Sequence, residues 1–401
     1  MKLAHYDIVV VGGGINGAGV AQAAAAAGYS VMLIEKTDLA AGTSSASSKL
    51  IHGGLRYLES WQFGMVRESL HERSLLARLA PDLVQMKDFY LPIYKGSRRA
   101  PALVRTGLSL YAFLAGLSSD ARFSKLPRAA WDSLDGLRTS ELRAVYRYRD
   151  AQTDDELLTR AVMYSAVKLG ATIACPAELV KVQLHSQMNE LFYRQDDQEQ
   201  TCSANVLINA AGPWANQVLE RVRPTVPQLD VELVQGAHIV IPGELQQGCY
   251  YIESPRDGRA IFVLPWKGQI MVGTTETRLK RRPDTVEPLR SEIHYLLQIL
   301  RYYFPSMGDL RVRQIVDSFA GLRVLPRSDR HVFHRSRETI LHADRPAVKG
   351  APRIVSVYGG KLTTYRSTAQ KVLRRIRAAL PKKTPIARTD ELPLVWPGPY
   401  E

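Results

Sequence analysis

The run from Val9 to Glu35, VVVGGGINGAGVAQAAAAAGYSVMLIE, constrains the fold more than any other part of the chain. A β-branched run ends in Gly12-Gly13-Gly14-Ile15-Asn16-Gly17. An Ala-rich stretch follows, and a second apolar run, Val31 to Ile34, ends at Glu35. Strand, glycine turn, helix, strand and acid in this order make a dinucleotide-binding βαβ unit. Gly12 permits the tight turn, Gly14 lets the backbone approach a pyrophosphate, and Gly17 lets the helix pack close to the strand. The helix N-terminus, with Asn16 in its first turn, offers free N–H groups and its positive dipole end to the phosphates. Glu35, followed by Lys36, is placed to accept hydrogen bonds from a ribose.

The next segment runs Gly42-Thr43-Ser44-Ser45-Ala46-Ser47-Ser48-Lys49-Leu50-Ile51-His52-Gly53-Gly54-Leu55-Arg56-Tyr57-Leu58-Glu59. Small hydroxyl residues and glycines can wrap a second phosphate and let a planar ring approach the backbone. The segment resembles the signature GTSSxSxKLIHGGxRYLE of the FAD-dependent (aerobic) glycerol-3-phosphate dehydrogenases. Five further blocks carry the resemblance, in the family's order, across nearly the whole chain. They are Asn209-Ala210-Ala211-Gly212-Pro213-Trp214, Gln235-Gly236-Ala237-His238-Ile239-Val240, Gly273-Thr274-Thr275-Glu276, Ala320-Gly321-Leu322-Arg323, and Tyr358-Gly359-Gly360-Lys361-Leu362-Thr363-Thr364-Tyr365-Arg366.

The resemblance implies an α/β fold of the FAD-binding Rossmann-like kind. That is a two-dinucleotide-binding-domain flavoprotein of the DAO/glutathione-reductase type, with a mostly antiparallel β substrate domain. The expected division is a discontinuous FAD-binding domain of residues 1–75, 151–224 and 336–401, and a substrate-binding or cap domain of residues 76–150 and 225–335. Within it, Leu157 to Gly170 reads as a helix, Glu178 to Val182 and Val206 to Ala211 as strands, and Ser291 to Tyr303 as a helix. Val231 to Val234, Ala237 to Ile241, Ala260 to Pro265 and Gln269 to Val272 read as short antiparallel strands. A final helix is predicted from near Thr363 to about Leu380.

By the same resemblance the chain oxidises sn-glycerol 3-phosphate to dihydroxyacetone phosphate, with non-covalent FAD accepting hydride at N5 and a quinone taking the electrons onward. The implied cofactor contacts are Gly12, Gly14, Asn16, Gly17, Glu35, Lys36, Thr43, Ser44, Ser47, Ser48, His52, Gly53, Gly54, Gly212, Gly360, Lys361, Leu362 and Thr363. Lys361, at the start of the last helix, adds charge to a dipole that would favour an anionic reduced flavin. Arg56 and Arg323 are the expected clamps for an anionic substrate, because a planar guanidinium fork pairs with phosphate oxygens. Arg337 is a third such candidate, and Tyr57 is placed to hydrogen-bond the substrate or pack on the flavin. His238 is the expected general base, since an ordinary imidazole titrates near neutrality. The expected catalytic set is therefore His238, Arg323, Lys361 and Arg56. No metal-ligand spacing is present.

Three departures bear on substrate and assembly. Asp154-Asp155-Glu156-Leu157-Leu158 lacks the family's arginine in that block. Gly321-Leu322-Arg323-Val324 stands for GxRP, and Gln235-Gly236-Ala237-His238 stands for KGSH. Thr389 to Glu401 reads as the linker after which the family continues into a helical C-terminal domain. Two alternatives stay open: a flavin enzyme for another small anionic alcohol or amine, with oxygen as acceptor, and a non-catalytic flavin-binding scaffold.

The 401 residues suffice for two or three domains, and a hydrophobic fraction of 45% suits a globular protein. Fifty-three basic against 39 acidic residues leave a net charge of +14, which favours phosphorylated substrates and acidic membrane surfaces. Nucleic acid is not expected, for lack of a recognisable binding motif. Cys175, Cys202 and Cys249 form no CxxC pair, and the first strand starts almost at once, which together point to the cytoplasm. No apolar run is long enough to span a bilayer; the longest candidate outside the first strand is Thr106 to Leu117. Arg278, Lys280, Arg281 and Arg282 form a basic cluster. The last helix is amphipathic, with Ala369, Val372, Leu373, Ile376 and Leu380 opposite Lys371, Arg374, Arg375 and Arg377. Its apolar face is expected against the core, and its charges leave an anionic membrane surface as a peripheral partner. Oligomeric state is left open.

Overall fold

The computed structural model describes residues 3–186, 188–279, 285–327, 338–345 and 350–398. Arg337 and Lys280 to Arg282 lie outside them. Seven helices are used below: α1 (Ile15–Ala26), α2 (Phe63–Leu79), α3 (Pro101–Leu114), α4 (Asp155–Lys168), α5 (Ala215–Glu220), α6 (Arg290–Tyr303) and α7 (Tyr365–Ile376).

The strands form two sheets. The centre of the first is parallel: Val31–Ile34, Ala4–Val11, Gln198–Asn209 and Ile354–Tyr358 lie side by side, with Thr172–Ala174 beyond Val31–Ile34. Ile8, Val9 and Val10 are fully buried, as a continuous β-branched run must be when helices or loops cover both faces of a parallel sheet. The alanines of α1 are all buried too. Their small side chains allow α4 and α7 to pack against α1 at short range. Gly19 continues that seam, since a Cβ there would lie 2.6 Å from the Tyr365 ring.

The second sheet is mostly antiparallel. Val231–Ile241 is its spine, paired with Asp317–Pro326 on one side and with Gln269–Gly273 and Thr277–Leu279 on the other. Val84–Tyr94 pairs along its length with Leu142–Thr153, and Leu50–Ile51 adds a short edge. α6 packs an apolar face of Leu296, Leu297, Ile299 and Leu300 on this sheet.

Several expectations shift by a few residues. The helix expected over Leu157 to Gly170 starts at Asp155, because the Asp154 side chain accepts the Leu157 N–H and caps it. The two strands expected on either side of Gln235-Gly236 are one strand. The glycine is not a break: a Cβ there would lie 2.6 Å from Thr274 Oγ1 and 2.7 Å from Arg323 Nη2. The last helix begins at Tyr365, after a 3-10 turn over Leu362–Thr364. It buries Ala369, Val372 and Ile376 in the core, while Arg366 pairs with Glu72 and Lys371 with Glu68, both at 2.6 Å. The segment read as a linker packs back on the first sheet's helices: Leu394 donates to the Leu79 carbonyl, and both Thr389 and Leu394 are buried.

Candidate active site

A cleft of about 630 Å³ opens between the two sheets. Its wall includes Gly12, Gly14, Asn16, Glu35 and Lys36 from the first sheet, and His238, Arg323 and Leu325 from the second. A volume in this range suits a bound small molecule or cofactor.

The glycine turn is built as its sequence requires. Gly12 has φ +111°, and a Cβ there would lie 2.6 Å from the Ala210 carbonyl oxygen. Gly17 lies behind the turn rather than on the cleft wall; its Cβ would fall 1.9 Å from the Gly12 oxygen. Glu35 is braced by the Gly13 N–H at 2.7 Å and by the backbone and hydroxyl of Thr37 at 2.9 and 3.0 Å. Lys36 Nζ stands 5.4 Å over the Trp214 ring. The helix N-terminus is not entirely free, because Ser44 Oγ accepts the Ile15 N–H at 2.9 Å.

That bond belongs to a set that ties the hydroxyl-rich loop to the protein around it. Thr43, Ser44, Ser47 and Ser48 all line the cleft, and their hydroxyls also bond within the protein. Thr43 Oγ1 donates to the Leu322 carbonyl at 2.8 Å, and Ser47 Oγ accepts the Lys49 N–H at 3.1 Å. Ser48 Oγ meets His238 Nε2 at 3.0 Å. The loop is tied down by Lys49, whose Nζ contacts Asp155 Oδ1 and the Ser45 carbonyl, each at 2.5 Å. Burial pushes the Asp155 carboxyl up, against the opposing pull of Lys49. This buried pair escaped the sequence reading, although the doublet Asp154-Asp155 was its visible half: one aspartate caps α4 and the other anchors the loop.

Gly53 and Gly54 are likewise not on the wall. The Gly53 N–H donates to Tyr111 Oη at 2.9 Å and to Asp150 Oδ1 at 3.3 Å, and a Cβ there would strike Tyr111 and Leu70. Gly54 has φ +76° and lies under the Tyr57 ring. The two glycines turn the chain so that His52 and Tyr57, on either side, reach the cleft. Gly212, Gly360, Lys361, Leu362 and Thr363 line it. Asn16 Nδ2 donates to the Gly359 carbonyl at 3.1 Å, which joins the first turn of α1 to the turn before α7. Lys361 Nζ sits 4.0 Å over the Tyr57 ring.

At the second sheet, His238 is 2% exposed and stacks on Phe319 with ring centroids 4.9 Å apart. Burial, then the charges of Arg323 and Lys49, push its pKa down to about 3. This corrects the expectation of near-neutral titration: the imidazole is neutral throughout the physiological range. Arg323 lines the cleft. Its Nη2 donates to Thr274 Oγ1 at 3.2 Å and its Nη1 lies 3.3 Å from Glu276 Oε1. Arg56 stands beside the cleft, not on its wall, 3.7 Å from the same Glu276 oxygen and with its guanidinium 5.2 Å from the Tyr57 ring centre. Glu276 closes the Gly-Thr-Thr-Glu block, so the sequence displayed it but gave no reason to pair it with arginines far along the chain.

The residues fit a flavin dinucleotide on structural grounds: a glycine turn too close to its neighbours for a Cβ at Gly12 or Gly17, an acid at the end of the second strand, and a cleft that reaches both sheets. Residues 7–366 match the family described as FAD dependent oxidoreductase. The chain is 35% identical to a D-erythritol 1-phosphate dehydrogenase of Brucella abortus, over 94% of this chain and 74% of that one. It is 36% identical to a glycerol-3-phosphate dehydrogenase of Pseudomonas aeruginosa, over 93% of this chain and 72% of that one. Among solved structures, it is similar to the glycerol-3-phosphate dehydrogenase of Bacillus halodurans complexed with FAD. The TM-score is 0.74 and the identity 25%, over 97% of this chain and 68% of that one.

Proposed function

The chain belongs to the FAD dependent oxidoreductase family, and from that premise we propose that it oxidises sn-glycerol 3-phosphate to dihydroxyacetone phosphate. FAD, held non-covalently in the cleft, supplies the hydride acceptor, and a quinone is the proposed onward acceptor. The first sheet with its helices is then the nucleotide-binding part and the second sheet the substrate part.

The observation that carries this reading is the meeting of Arg323 and His238 on the wall of the cleft that also holds the glycine turn. Arg323 presents its guanidinium to the substrate phosphate, with Arg56 behind it; Arg337 belongs to the proposal as a third contact. His238 takes the hydroxyl proton at Nε2, directly or through Ser48 Oγ, which lies 3.0 Å away on the same wall. An imidazole with a pKa of about 3 is a weak base in the empty site. Burial is the first cause of that low value and the charges of Arg323 and Lys49 add to it; a phosphate paired with Arg323 offsets one of those charges. Tyr57 fixes the Lys361 ammonium, which adds charge at the turn before α7.

The relative named for D-erythritol 1-phosphate favours a second reading, a longer polyol phosphate held by the same arginines. Turnover of the flavin-loaded enzyme with each compound and a dye acceptor decides between them. Failure with both refutes the proposal.

We further place the protein peripherally on the cytoplasmic face of the membrane. No described helix is long and apolar enough to cross a membrane. The charge of +14 supports attraction to acidic lipid, and Leu103 and Phe113 on α3, with Leu117 after it, are 59, 67 and 67% exposed.

A further inference from the structure

One conspicuous block, Gly273 to Glu276, has no role in the reaction described so far. Glu276 is not on the cleft wall and its side chain is 5% exposed. A carboxylate so buried keeps its charge only beside cations. Among the described residues, Arg323 at 3.3 Å and Arg56 at 3.7 Å both approach the same oxygen, Oε1.

The backbone that presents Glu276 is itself held. Thr275 and Thr277 donate their hydroxyls to Glu292 Oε1 on α6 at 2.6 and 2.7 Å. The other oxygen of Glu292 accepts from Gln235 at 2.7 Å and from the Leu289 N–H at 2.9 Å. Thr275 Oγ1 also accepts the Ala237 N–H, so the turn is locked to the strand that carries His238. Thr274, one residue away, accepts from Arg323. Gly236 leaves the space through which that guanidinium passes.

We propose that Glu276 is a positioning residue for the substrate anion: it yokes Arg323, on the cleft wall, to Arg56 behind it and lets the two like charges stand together before substrate arrives. This rests on the proposed reading of the cleft as a phosphate-ester site. The alternative for a carboxylate behind an anion site is a brake, which weakens anion binding by its own charge. The geometry favours the yoke, because one oxygen touches both guanidiniums and a second network fixes the carboxylate's backbone. A fixed fork loses less freedom on binding than two loose arginines would.

The test compares flavin-loaded wild type with Glu276→Gln and Glu276→Asp. For Glu276→Gln, KM for sn-glycerol 3-phosphate should rise about tenfold, the size of one charge-assisted hydrogen bond, while kcat stays within about twofold. Flavin content and melting temperature should match wild type. The dissociation constant for inorganic phosphate, read from the change in flavin absorption or from calorimetry, should rise by the same factor. Glu276→Asp keeps the charge but retracts it, and should fall between the two. An unchanged KM and phosphate affinity overturns the proposal, and so does a lowered KM, which identifies a brake. If Glu276→Gln does not fold, Glu276→Asp decides alone: a KM raised several-fold supports the yoke, and an unchanged one overturns it. A wild type that ignores sn-glycerol 3-phosphate but binds phosphate more tightly than the variants refutes the substrate reading and leaves the yoke standing. A wild type that binds neither overturns both.

Discussion

His238 allows a prediction whose sign and size both follow from its surroundings. Its pKa falls from 6.5 to about 3 on folding, driven first by burial and then by Arg323 and Lys49. The unfolded chain therefore takes up a proton at this imidazole below pH 6.5, while the folded chain does so only near pH 3. Between those values the unfolded state binds more protons, so stability rises with pH across the window and falls as the solution is acidified. Each unit is worth about 1.36 kcal/mol, so moving from pH 6.5 to pH 5 costs about 2 kcal/mol through this residue alone. His238→Gln cannot titrate and keeps a polar side chain able to bond Ser48. Urea unfolding of both proteins, with FAD at the same saturating concentration, should be followed at pH 7.5 and pH 5. Other groups titrate identically in the two, so the wild type should lose about 2 kcal/mol more than the variant. Equal losses would refute the argument, because they would mean that the folded imidazole protonates as easily as the unfolded one.

Gly17→Ala should sharply lower soluble yield and leave what is recovered without FAD, since its Cβ would sit 1.9 Å from the Gly12 oxygen; the yield and the flavin-to-protein absorbance ratio of the recovered protein check it. Arg323→Ala should lower kcat/KM by about ten- to a hundredfold, equivalent to roughly 1.5–3 kcal/mol, with flavin content preserved, and Arg323→Lys should recover only part of the loss because an ammonium lacks the fork. Lys49→Met should destabilise the fold by about 3–5 kcal/mol, because it strands the Asp155 carboxylate in the interior, and thermal or urea unfolding measures this. Acidic vesicles should pellet the protein at low salt and release it as salt rises, and Leu103→Asp with Phe113→Asp should weaken the association; no pelleting at low salt rejects the membrane proposal.

The parts of the fold that were legible are those where backbone geometry dictates residue type. Gly12 and Gly17 have no substitutes in their positions, so the glycine turn, α1 and the acid after Ile34 could be read directly. The family blocks were legible for the same reason, as six short stretches in a fixed order. Residue chemistry was legible, but partners were not. Ser44 was expected at a phosphate; in the protein it accepts an N–H from α1, and Ser48 turns to His238. A serine-rich loop looks the same in sequence whether its hydroxyls serve a ligand or the scaffold.

Gly236 shows why some local rules fail at a site. In isolation it reads as the end of a strand, since glycine weakens strand interiors. The strand runs through it because register with Asp317–Pro326 and Gln269–Gly273 on both sides outweighs that local cost. The glycine is required there by a side chain from elsewhere, the Arg323 guanidinium, which would collide with any Cβ at that position. His238 fails in the same way. Its residue type suggested a near-neutral base, but the pKa is set by the density of sheet around it and by two cations from other segments. Both errors have one source. The candidate site lies where the two sheets meet, so the properties of its residues belong to pairs that only the closed fold brings together. Glu276 with Arg56 and Arg323 is the clearest such group, and it could be reasoned about only once the closed fold had placed all three.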